Sequence, residues 1–495
     1  MQQRPYPPRR RPMTRAQYEY LLAKRRKEKM VSLAVLAVIA TLIVVAVIMI
    51  LKPRNDGARE SIQATAAPTV ATTATPTAAP TEAPAAATSQ PSAGGTLSAA
   101  IAADGQPSPG EQAPVEAAAD SGTAVLTTAA LTGPAATTAP AAVPNGQLRS
   151  VHFRVTGDIM CTEEQLHMAY NAAGDGTFDF WPQLELIAES LSGADYTIGN
   201  LETTIGMYNN KNFSGYPMFN SPEMLVEDLK AAGYDFFTLA NNHMLDRYFD
   251  GMKNTVNWVE NFGLEHVGAY RSPDERNTPK IVDINGIKFG FVAYTHSTNT
   301  VENSCDPAAI EYGVPYLYRS DIEADIQRLK DAGAEVIIAL PHWGDEYIRE
   351  PDSNQVKYAQ RLAKAGADII LGSHSHMVQP MITVPITDAD GTTRNVFAIS
   401  SLGNFLSTHT MQYTDWGIIL DFTVSELPDG SFVVENIGYI PTYCWQHDNT
   451  VQIISASKYL DNPPAGMSNE SYQRMRECYQ EAVATLGAQG VVLTV

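Results

Sequence analysis

The segment LANNHMLD, residues 239–246, says more about the fold than any other stretch of the sequence. It begins as an apolar run typical of a buried strand and then changes abruptly to polar groups. These groups are the amides of Asn241 and Asn242, the imidazole of His243 and the carboxylate of Asp246. Side chains that bind metal ions or protons, placed directly after a buried strand, predict a functional site at the carboxyl end of that strand.

Five other candidate strands end in the same way. The polar residues at their ends are Asp158 in VTGDIM, Asn200 and Glu202 in IGNLE, His342, Asp345 and Glu346 in LPHWGDEY, His374 and His376 in LGSHSHMVQP, and Asn404 in SSLGNF. Open α/β sheets bind their ligands in the crevice outside the carboxyl ends of the strands. One shared site therefore explains the six endings more economically than six separate roles.

Each ending taken alone also has an ordinary structural explanation. Asp158 after glycine could close a turn, His243 could be a satisfied histidine beside a turn, and His342 could pack against Trp343. The pair His374 and His376 is more specific, because alternate residues of an extended segment face the same side. All of the ordinary explanations would have to hold together, so we favour the shared site.

The chemistry of these side chains predicts a metal centre. Carboxylates, amide oxygens and imidazoles suit Mn²⁺, Fe, Zn²⁺ or Mg²⁺ rather than a thiolate metal. We therefore expect one or two divalent ions. Two ions about 3.5–4 Å apart can hold a hydroxide nucleophile and neutralise a phosphoryl group.

The pattern around these motifs is that of an α/β domain, because short apolar runs alternate with amphipathic stretches. Strands are predicted at 152–156, 195–199, 234–240, 335–341, 367–372 and 396–403. Helices are predicted at 180–191, 221–233, 250–263, 320–333 and 353–366. Two hairpins, one of them turning at Asn285-Gly286, make the sheets mixed rather than purely parallel.

The N-terminal region predicts a membrane anchor. Residues 1–30 carry ten Lys or Arg and two acids, and residues 31–51 carry no charge. As a helix, those 21 residues would span a hydrocarbon core of about 30 Å. The positive-inside rule keeps residues 1–30 in the cytoplasm and places residues 52–495 outside the cell. We therefore expect a single-pass protein of the cell membrane. A cleaved signal peptide is the alternative, although its apolar core is normally only about 7–15 residues long.

Residues 52–148 predict a disordered linker. This stretch is rich in Ala, Thr and Pro and has no aromatic residue. It cannot bury enough apolar surface to offset the entropy of ordering it.

Residues 149–495 contain every Trp, Cys and His of the chain, so the chemistry belongs there. This part carries a formal charge of −24, which argues against nucleic acid as a partner and requires a local cation to attract any anionic substrate. Its four cysteines form no CxxC pair, which makes a thiolate metal site a poor explanation and leaves disulfides open.

The motifs GDIM, GNLET, LANNHMLD, PHWGDEY, GSHSHMVQP and SLGNF, in this order, resemble the poly-γ-glutamate capsule-biosynthesis family CapA, within the calcineurin-like metallophosphoesterase superfamily. The resemblance covers a domain at 149–445, with 446–495 as its C-terminal extension. It implies a four-layer α/β/β/α sandwich with mixed sheets and a two-metal site.

The resemblance also implies individual roles. Asp158 and His376 would bind the first metal, Glu202 with Asn200 would supply the bridging position, and Asn242, His342 and His374 would bind the second. His243 would protonate the leaving oxygen, with Asn241, Asp246, Glu346 and Asn404 as supporting residues. Two residues depart from the wider superfamily, since Met160 takes a histidine position and Asn200 takes an aspartate position.

Two functions fit these observations. One is a surface-anchored metal-dependent hydrolase of a phosphoester, acting in the synthesis of a capsule or envelope polymer. The other is a non-catalytic subunit that binds an anionic polymer such as poly-γ-glutamate at the same site, for export or assembly with a polymer synthase complex. A pure adhesin or sensor has only the linker in its favour and does not require this set of ligands.

Overall fold

The structure is a computed structural model, and it describes residues 129–131, 148–206, 212–387, 391, 393–487 and 490–493. The predicted basic segment 1–30 and transmembrane helix 31–51 lie outside the described residues, as does nearly all of the predicted linker 52–148. Within the described ranges, none of the helices has the length and apolarity needed to cross a membrane.

The described residues form sixteen strands. They are β1 Ala129–Leu131, β2 Ser150–Ile159, β3 Tyr196–Leu201, β4 Phe236–Thr238, β5 Glu265–Val267, β6 Lys280–Ile284, β7 Ile287–Thr295, β8 Val336–His342, β9 Ile369–Leu371, β10 Met381–Thr387, β11 Thr393–Ile399, β12 Asn404–Leu406, β13 Trp416–Glu426, β14 Phe432–His447, β15 Thr450–Ser455 and β16 Val491–Val492.

The same residues form ten α-helices and one short 3₁₀ helix, Val301–Ser304. The α-helices are α1 Glu163–Ala173, α2 Trp181–Leu184, α3 Ala188–Leu191, α4 Met224–Ala232, α5 Tyr248–Asn261, α6 Pro273–Asn277, α7 Pro307–Gly313, α8 Ile322–Asp331, α9 Ser353–Ala365 and α10 Asn469–Leu486.

The strands form two mixed sheets. The larger sheet has the order β1-β14-β13-β2-β3-β4-β5, with β12 paired to β2 and with β15 and β16 paired to β14. The smaller sheet has the order β10-β11-β9-β8-β7-β6. Strands β2 to β5 run parallel, as do β7, β8, β9 and β11, so the carboxyl ends of several neighbouring strands meet at one edge of each sheet.

Three apolar cores separate four layers. One core lies between the two sheets, a second lies between the larger sheet and helices α1 to α5, and a third lies between the smaller sheet and helices α8 and α9. The order of layers is helix, sheet, sheet, helix. The structure therefore has the layer order that the family resemblance implied.

The alternation of side chains along each strand builds these cores. In β7, Phe289 and Phe291 face the core between the sheets, whereas Tyr294 faces the helices. Phe289 meets Phe153 of β2 edge to face, with ring centroids 4.9 Å apart, so the two sheets contact through aromatic rings. Truncating a phenylalanine in such a core costs about 3–5 kcal/mol.

Helix α9 shows why the helices were predictable from the sequence. The Asp352 carboxylate accepts hydrogen bonds from the backbone N–H groups of Asn354 and Gln355, which are otherwise unsatisfied in the first turn. Gly366 ends the helix with φ 116°, a left-handed conformation that favours glycine. Removing a cap of this kind costs about 1 kcal/mol.

Two of the differences between the structure and the predicted elements have a clear physical reason. The predicted helix 180–191 is divided into α2 and α3, because the N–H of Ile187 bonds to the carbonyl of Leu184, three residues back, and tightens the chain there. Within the predicted linker, β1 pairs antiparallel with β14 at the edge of the larger sheet. Pairing of this kind uses backbone groups only and needs no large side chains.

The described part of the C-terminal stretch, 446–487 and 490–493, packs on the rest of the domain. Strand β15 pairs with β14, and helix α10 buries Met475, Cys478, Ala482 and Leu486 in the core between the sheets. All four cysteines of the chain are free thiols, so the sequence's even cysteine count does not correspond to disulfides.

Glycines allow the strand ends to approach closely. A Cβ atom added to Gly157, directly before Asp158, would lie 1.9 Å from the carbonyl oxygen of Gly403. Gly403 itself has φ 71°. The chain can therefore bring β2 and β12 together only with glycine at position 157, and this contact sets Asp158 beside Asn404.

Candidate metal centre

The polar strand ends meet in one buried cluster. Asp158 on β2 is in register with Asn200 on β3 and with Asn404 on β12, so these three side chains form a row across neighbouring strands. His342 ends β8 in the smaller sheet, and a backbone bridge joins it to Ser373, the residue before His374. The site therefore lies where the carboxyl ends of strands from both sheets converge.

The first group of candidate ligands, here named the first subsite, consists of Asp158, Glu202 and His376. One ligand atom from each lies within 4.8 Å of the others, and all three side chains are buried. The Nδ1 atom of His376 is 3.2 Å from Oδ2 of Asp158.

The second group, here named the second subsite, consists of Glu202, His342 and His374. The Nε2 atom of His342 lies 3.0 Å from Nδ1 of His374 and 3.6 Å from Oε1 of Glu202. It also lies 2.9 Å from Oδ1 of Asn242, which adds an amide oxygen to this group. Glu202 is common to both subsites, which is the position that the resemblance gives to a bridging carboxylate.

The spacing of these atoms fits divalent metal ions. Two ligand atoms bound to one ion at about 2.0–2.2 Å lie about 2.8–3.6 Å apart at right or tetrahedral angles. The three distances from Nε2 of His342 fall within that range. The donors are carboxylates, amides and imidazoles, with no thiolate among them, which suits Mn²⁺, Fe, Zn²⁺ or Mg²⁺.

The electrostatics of Glu202 point in the same direction. Its Oε1 atom is buried and has no hydrogen-bond partner among the residues that the structure describes. Burial, together with the neighbouring charge of Asp158, raises the pKa of Glu202 well above its ordinary value. A cation between the two carboxylates would remove this penalty.

The two histidines of the second subsite are held as neutral ligands. Burial and the neighbouring imidazoles lower the pKa of both His342 and His374 well below the ordinary value. The Nδ1 atom of His342 is 2.9 Å from the Ser373 hydroxyl, and a proton held between them on Nδ1 would make Nε2 the atom available to a metal. Neutral imidazole is the form that binds metal.

The histidine of the first subsite, His376, has a pKa shifted in the opposite direction. Burial alone would lower the pKa of His376, but the hydrogen bonds with Asp158 and Asn404 and the charges of Asp158 and Glu346 together outweigh burial, and the pKa is raised. His376 is therefore paired to a carboxylate, whereas His342 and His374 are paired to each other.

The backbone of the loop that carries His374 and His376 is not extended, which corrects the sequence argument for this pair. His374 has φ 102° and His376 has φ 58°, so both lie in the left-handed region. The loop winds back on itself, and the two imidazoles still reach the same site, with ring centroids 6.1 Å apart. Left-handed backbone at residues other than glycine is strained and often marks functional sites.

His243 lies beside the two subsites and is held in place by Asp246 and Phe219. Its Nδ1 atom is 2.8 Å from Oδ2 of Asp246, and that oxygen also accepts the N–H of Phe219 at 2.6 Å. The ring of Phe219 meets the imidazole edge to face at 4.6 Å. His243 is thus fixed from two sides, through its Nδ1 atom and through its ring.

The remaining predicted residues divide into two kinds. Asn241 binds the carbonyl of Leu201 and the side chain of Asn200, so it ties the end of β4 to the end of β3. Asn200 in turn donates to Asp158 at 2.7 Å. Asp345 and Glu346 are exposed, and Glu346 contributes charge from the rim rather than a ligand in either group.

Three residues of the site escaped the sequence argument. These residues are His296, His409 and Tyr347. The ring centroid of His296 lies 4.2 Å from that of His374, and the ring centroids of His409 and Tyr347 lie 5.2 and 5.7 Å from that of His376. His296 could have been found, because it directly follows β7 and so obeys the rule of polar strand ends. His409 and Tyr347 lie in loops, and the sequence gives no signal that these loops fold back over the site.

These features define the class of the protein: an α/β domain with a buried cluster of carboxylates and imidazoles whose spacing fits divalent metal. The family of bacterial capsule synthesis proteins named PGA_cap matches residues 152–409, which include every ligand of both subsites. The chain belongs to this family.

Known relatives agree with this assignment. The chain is 26% identical over 248 residues to the capsule biosynthesis protein CapA of Bacillus anthracis, covering 49% of this chain and 58% of that protein. It is 26% identical over 285 residues to the PGA biosynthesis protein CapA of Bacillus subtilis, covering 57% of this chain and 70% of that protein. The chain thus spans little more than half the length of the first of these relatives.

A solved structure with some similarity is the calcineurin-like phosphoesterase YfkN from Bacillus subtilis. The two share 17% sequence identity and a TM-score of 0.35, over 68% of this chain and 99% of that chain. Similarity at this level assigns neither fold nor activity, so the fold rests on the sheets and cores described above.

Proposed function

We propose that this chain is a membrane-anchored, extracytoplasmic hydrolase that uses divalent metal to cleave a phosphoester during the synthesis of a capsule or envelope polymer. The observation that carries the proposal is the pair of subsites that share Glu202, with His243 beside them. An ordinary structural role would not require two ligand groups joined by one buried carboxylate.

The residues of this chain would divide the chemistry among them. Asp158, Glu202 and His376 would hold one ion, and Glu202, Asn242, His342 and His374 would hold the other. When bound, such ions supply a nucleophilic hydroxide and neutralise the charge of a phosphoryl group.

His243 would handle the proton on the leaving group. With Nδ1–H donated to Asp246, the Nε2 atom can carry a proton to the leaving oxygen. The Asp246 carboxylate would stabilise the imidazolium form that donates this proton and keep the ring in one orientation. Phe219 would shield the pair from water on one side.

The proposed cellular setting rests on the relatives and on the N-terminal sequence. The two Bacillus relatives are named for capsule and PGA biosynthesis, which favours an anionic envelope polymer or its phosphoester precursor as substrate. The apolar segment 31–51 and the linker 52–148 would let the domain work at a distance from the membrane. Because the domain is acidic and repels anions, the bound metal would have to attract an anionic substrate.

A second candidate function is a polymer-binding subunit that uses the same site without turnover. The observation in its favour is the first subsite, where Met160 removes a nitrogen ligand found in the wider superfamily. A weakly held ion in this half would still attract an anionic polymer but would activate water poorly. Such a subunit would act with a polymer synthase complex.

One experiment separates these functions. The purified chain is stripped of metal, reloaded with Mn²⁺, Zn²⁺ or Mg²⁺, and assayed with bis-p-nitrophenyl phosphate and, separately, with polyglutamate. Metal-dependent cleavage that falls with His374→Ala supports the hydrolase. Metal-dependent binding of polyglutamate without any cleavage supports the binding subunit, and absence of metal binding contradicts both.

A further inference from the structure

We infer that Asn404 is a direct metal ligand, and that its Oδ1 atom completes the first subsite. The inference rests on the metal centre of the proposed function and specifies its ligands further. It follows from the register, orientation and spacing of Asn404.

The register sets Asn404 beside Asp158. Strand β12 runs parallel to β2 with Asn404 opposite Asp158, and both side chains are fully buried. A buried amide must satisfy both its donor and its acceptor. The hydrogen-bond partners of the Asn404 amide therefore show whether its oxygen or its nitrogen faces the site.

The orientation of the amide is fixed by a backbone carbonyl. The Nδ2 atom of Asn404 lies 2.8 Å from the carbonyl oxygen of Thr414, and a carbonyl only accepts hydrogen bonds. The NH₂ group must therefore face Thr414. The Oδ1 atom is left facing His376, whose Nδ1 atom lies 3.0 Å away.

The spacing matches that of ligands around one ion. The Nδ1 atom of His376 is 3.0 Å from Oδ1 of Asn404 and 3.2 Å from Oδ2 of Asp158. In the second subsite, Nε2 of His342 is 2.9 Å from Oδ1 of Asn242. Each subsite thus contains an asparagine oxygen next to an imidazole nitrogen, and Asn404 is the counterpart of Asn242.

The completed ligand sets differ in hardness. The first subsite would have three oxygen donors, from Asp158, Glu202 and Asn404, and one nitrogen donor, from His376. The second would have two oxygens and two nitrogens. Oxygen-rich sites suit Mn²⁺ and Mg²⁺, while imidazoles suit Zn²⁺ and Fe. The first subsite should therefore prefer Mn²⁺ over Zn²⁺ more strongly than the second.

The direct test is the position of the ion. Crystals of the full chain are loaded with Mn²⁺ and the ions are located by anomalous diffraction. We expect Mn²⁺ in the first subsite at about 2.0–2.4 Å from Oδ1 of Asn404, as for an oxygen ligand. An ion in that subsite more than about 3 Å from Oδ1 would reduce Asn404 to a hydrogen-bond acceptor that orients His376, and would overturn the inference.

Mn²⁺ binding by variants gives an independent test that does not use activity. Asn404→Ala should bind one ion per chain in place of two, whereas Asn404→Asp, which keeps an oxygen at this position, should bind two. Asn254→Ala, which deletes a half-buried amide outside the site, is the control and should bind two. Two ions bound to Asn404→Ala with the affinity of the unmodified chain would contradict the inference. If the unmodified chain binds no Mn²⁺, Zn²⁺ or Mg²⁺, the metal centre of the proposed function fails, and this inference fails with it.

Discussion

The two subsites of the metal centre share Glu202 and differ in almost everything else. The second has His342 and His374 in contact, with pKa values lowered by burial, so that both imidazoles are neutral. The first has a single histidine, His376, tied to the carboxylate of Asp158. The second subsite is rich in nitrogen donors, whereas the first consists mainly of oxygen donors. Counting histidines alone would therefore overlook the first subsite.

The largest effect is expected from breaking the second subsite. His374→Ala removes one of its two nitrogen ligands, so the chain should lose the ion there and cleave phosphodiesters at the background rate. Loss of residues that only support a ligand already costs about 10–100-fold, and removal of a ligand itself should cost more. Metal analysis and the phosphodiesterase assay measure both quantities. His167→Ala, an exposed histidine on α1, is the control, and an equal loss in both variants would contradict the assignment.

The next largest effect separates chemistry from binding. His243→Asn should lower kcat by about 10²–10⁴-fold, because a general acid contributes that much, while both subsites keep their ions. Titration with Mn²⁺ and steady-state kinetics on the same sample test this. A parallel loss of metal would make His243 a ligand rather than a proton donor.

Metal binding should also stabilise the fold, and unequally in the two subsites. At a free ion concentration about 100 times the Kd, one bound ion adds about 2.7 kcal/mol to the free energy of unfolding. Chemical unfolding with Mn²⁺ and with EDTA measures this contribution. Asp158→Asn should lose only the part that belongs to the first subsite. Equal stability with Mn²⁺ and EDTA would exclude binding to the folded state.

The smallest effect comes from making the subsites alike. Met160 is buried directly after β2, two residues from Asp158. Met160→His would add a nitrogen donor there, so the first subsite should bind Zn²⁺ about tenfold more tightly, equivalent to about 1.4 kcal/mol. Met160→Leu, which keeps an apolar side chain of similar size, should leave Zn²⁺ affinity unchanged. The same gain in both variants would mean that packing, not ligation, changed the affinity.

The sequence predicted the location of the site better than its internal geometry. Asp158, Glu202, Asn242, His342, His374 and His376 each follow a buried strand, and that local pattern is enough to bring them to one edge. The structure does bring them together. The contacts among these side chains depend on how the two sheets are oriented relative to each other. A local sequence pattern does not determine that orientation.

Loops account for what the sequence could not predict. The left-handed backbone of His374 and His376 depends on contacts with distant strands, so the sequence suggested an extended segment. His409 and Tyr347 approach His376 only because their loops fold over the site. The division of the predicted helix 180–191 depends on one hydrogen bond at Ile187, which periodicity does not reveal.

In the proposed metal centre, the buried carboxylate of Glu202 joins the two subsites. The most direct measurement is the number of divalent ions bound per chain by the Glu202→Gln variant, with correct folding checked by circular dichroism. If Glu202 bridges the subsites, the unmodified chain binds two ions and the variant weakens both together, so that metal analysis after dialysis finds neither at full occupancy. If the variant keeps one subsite at full occupancy and loses only the other, Glu202 belongs to a single ion and the account is wrong.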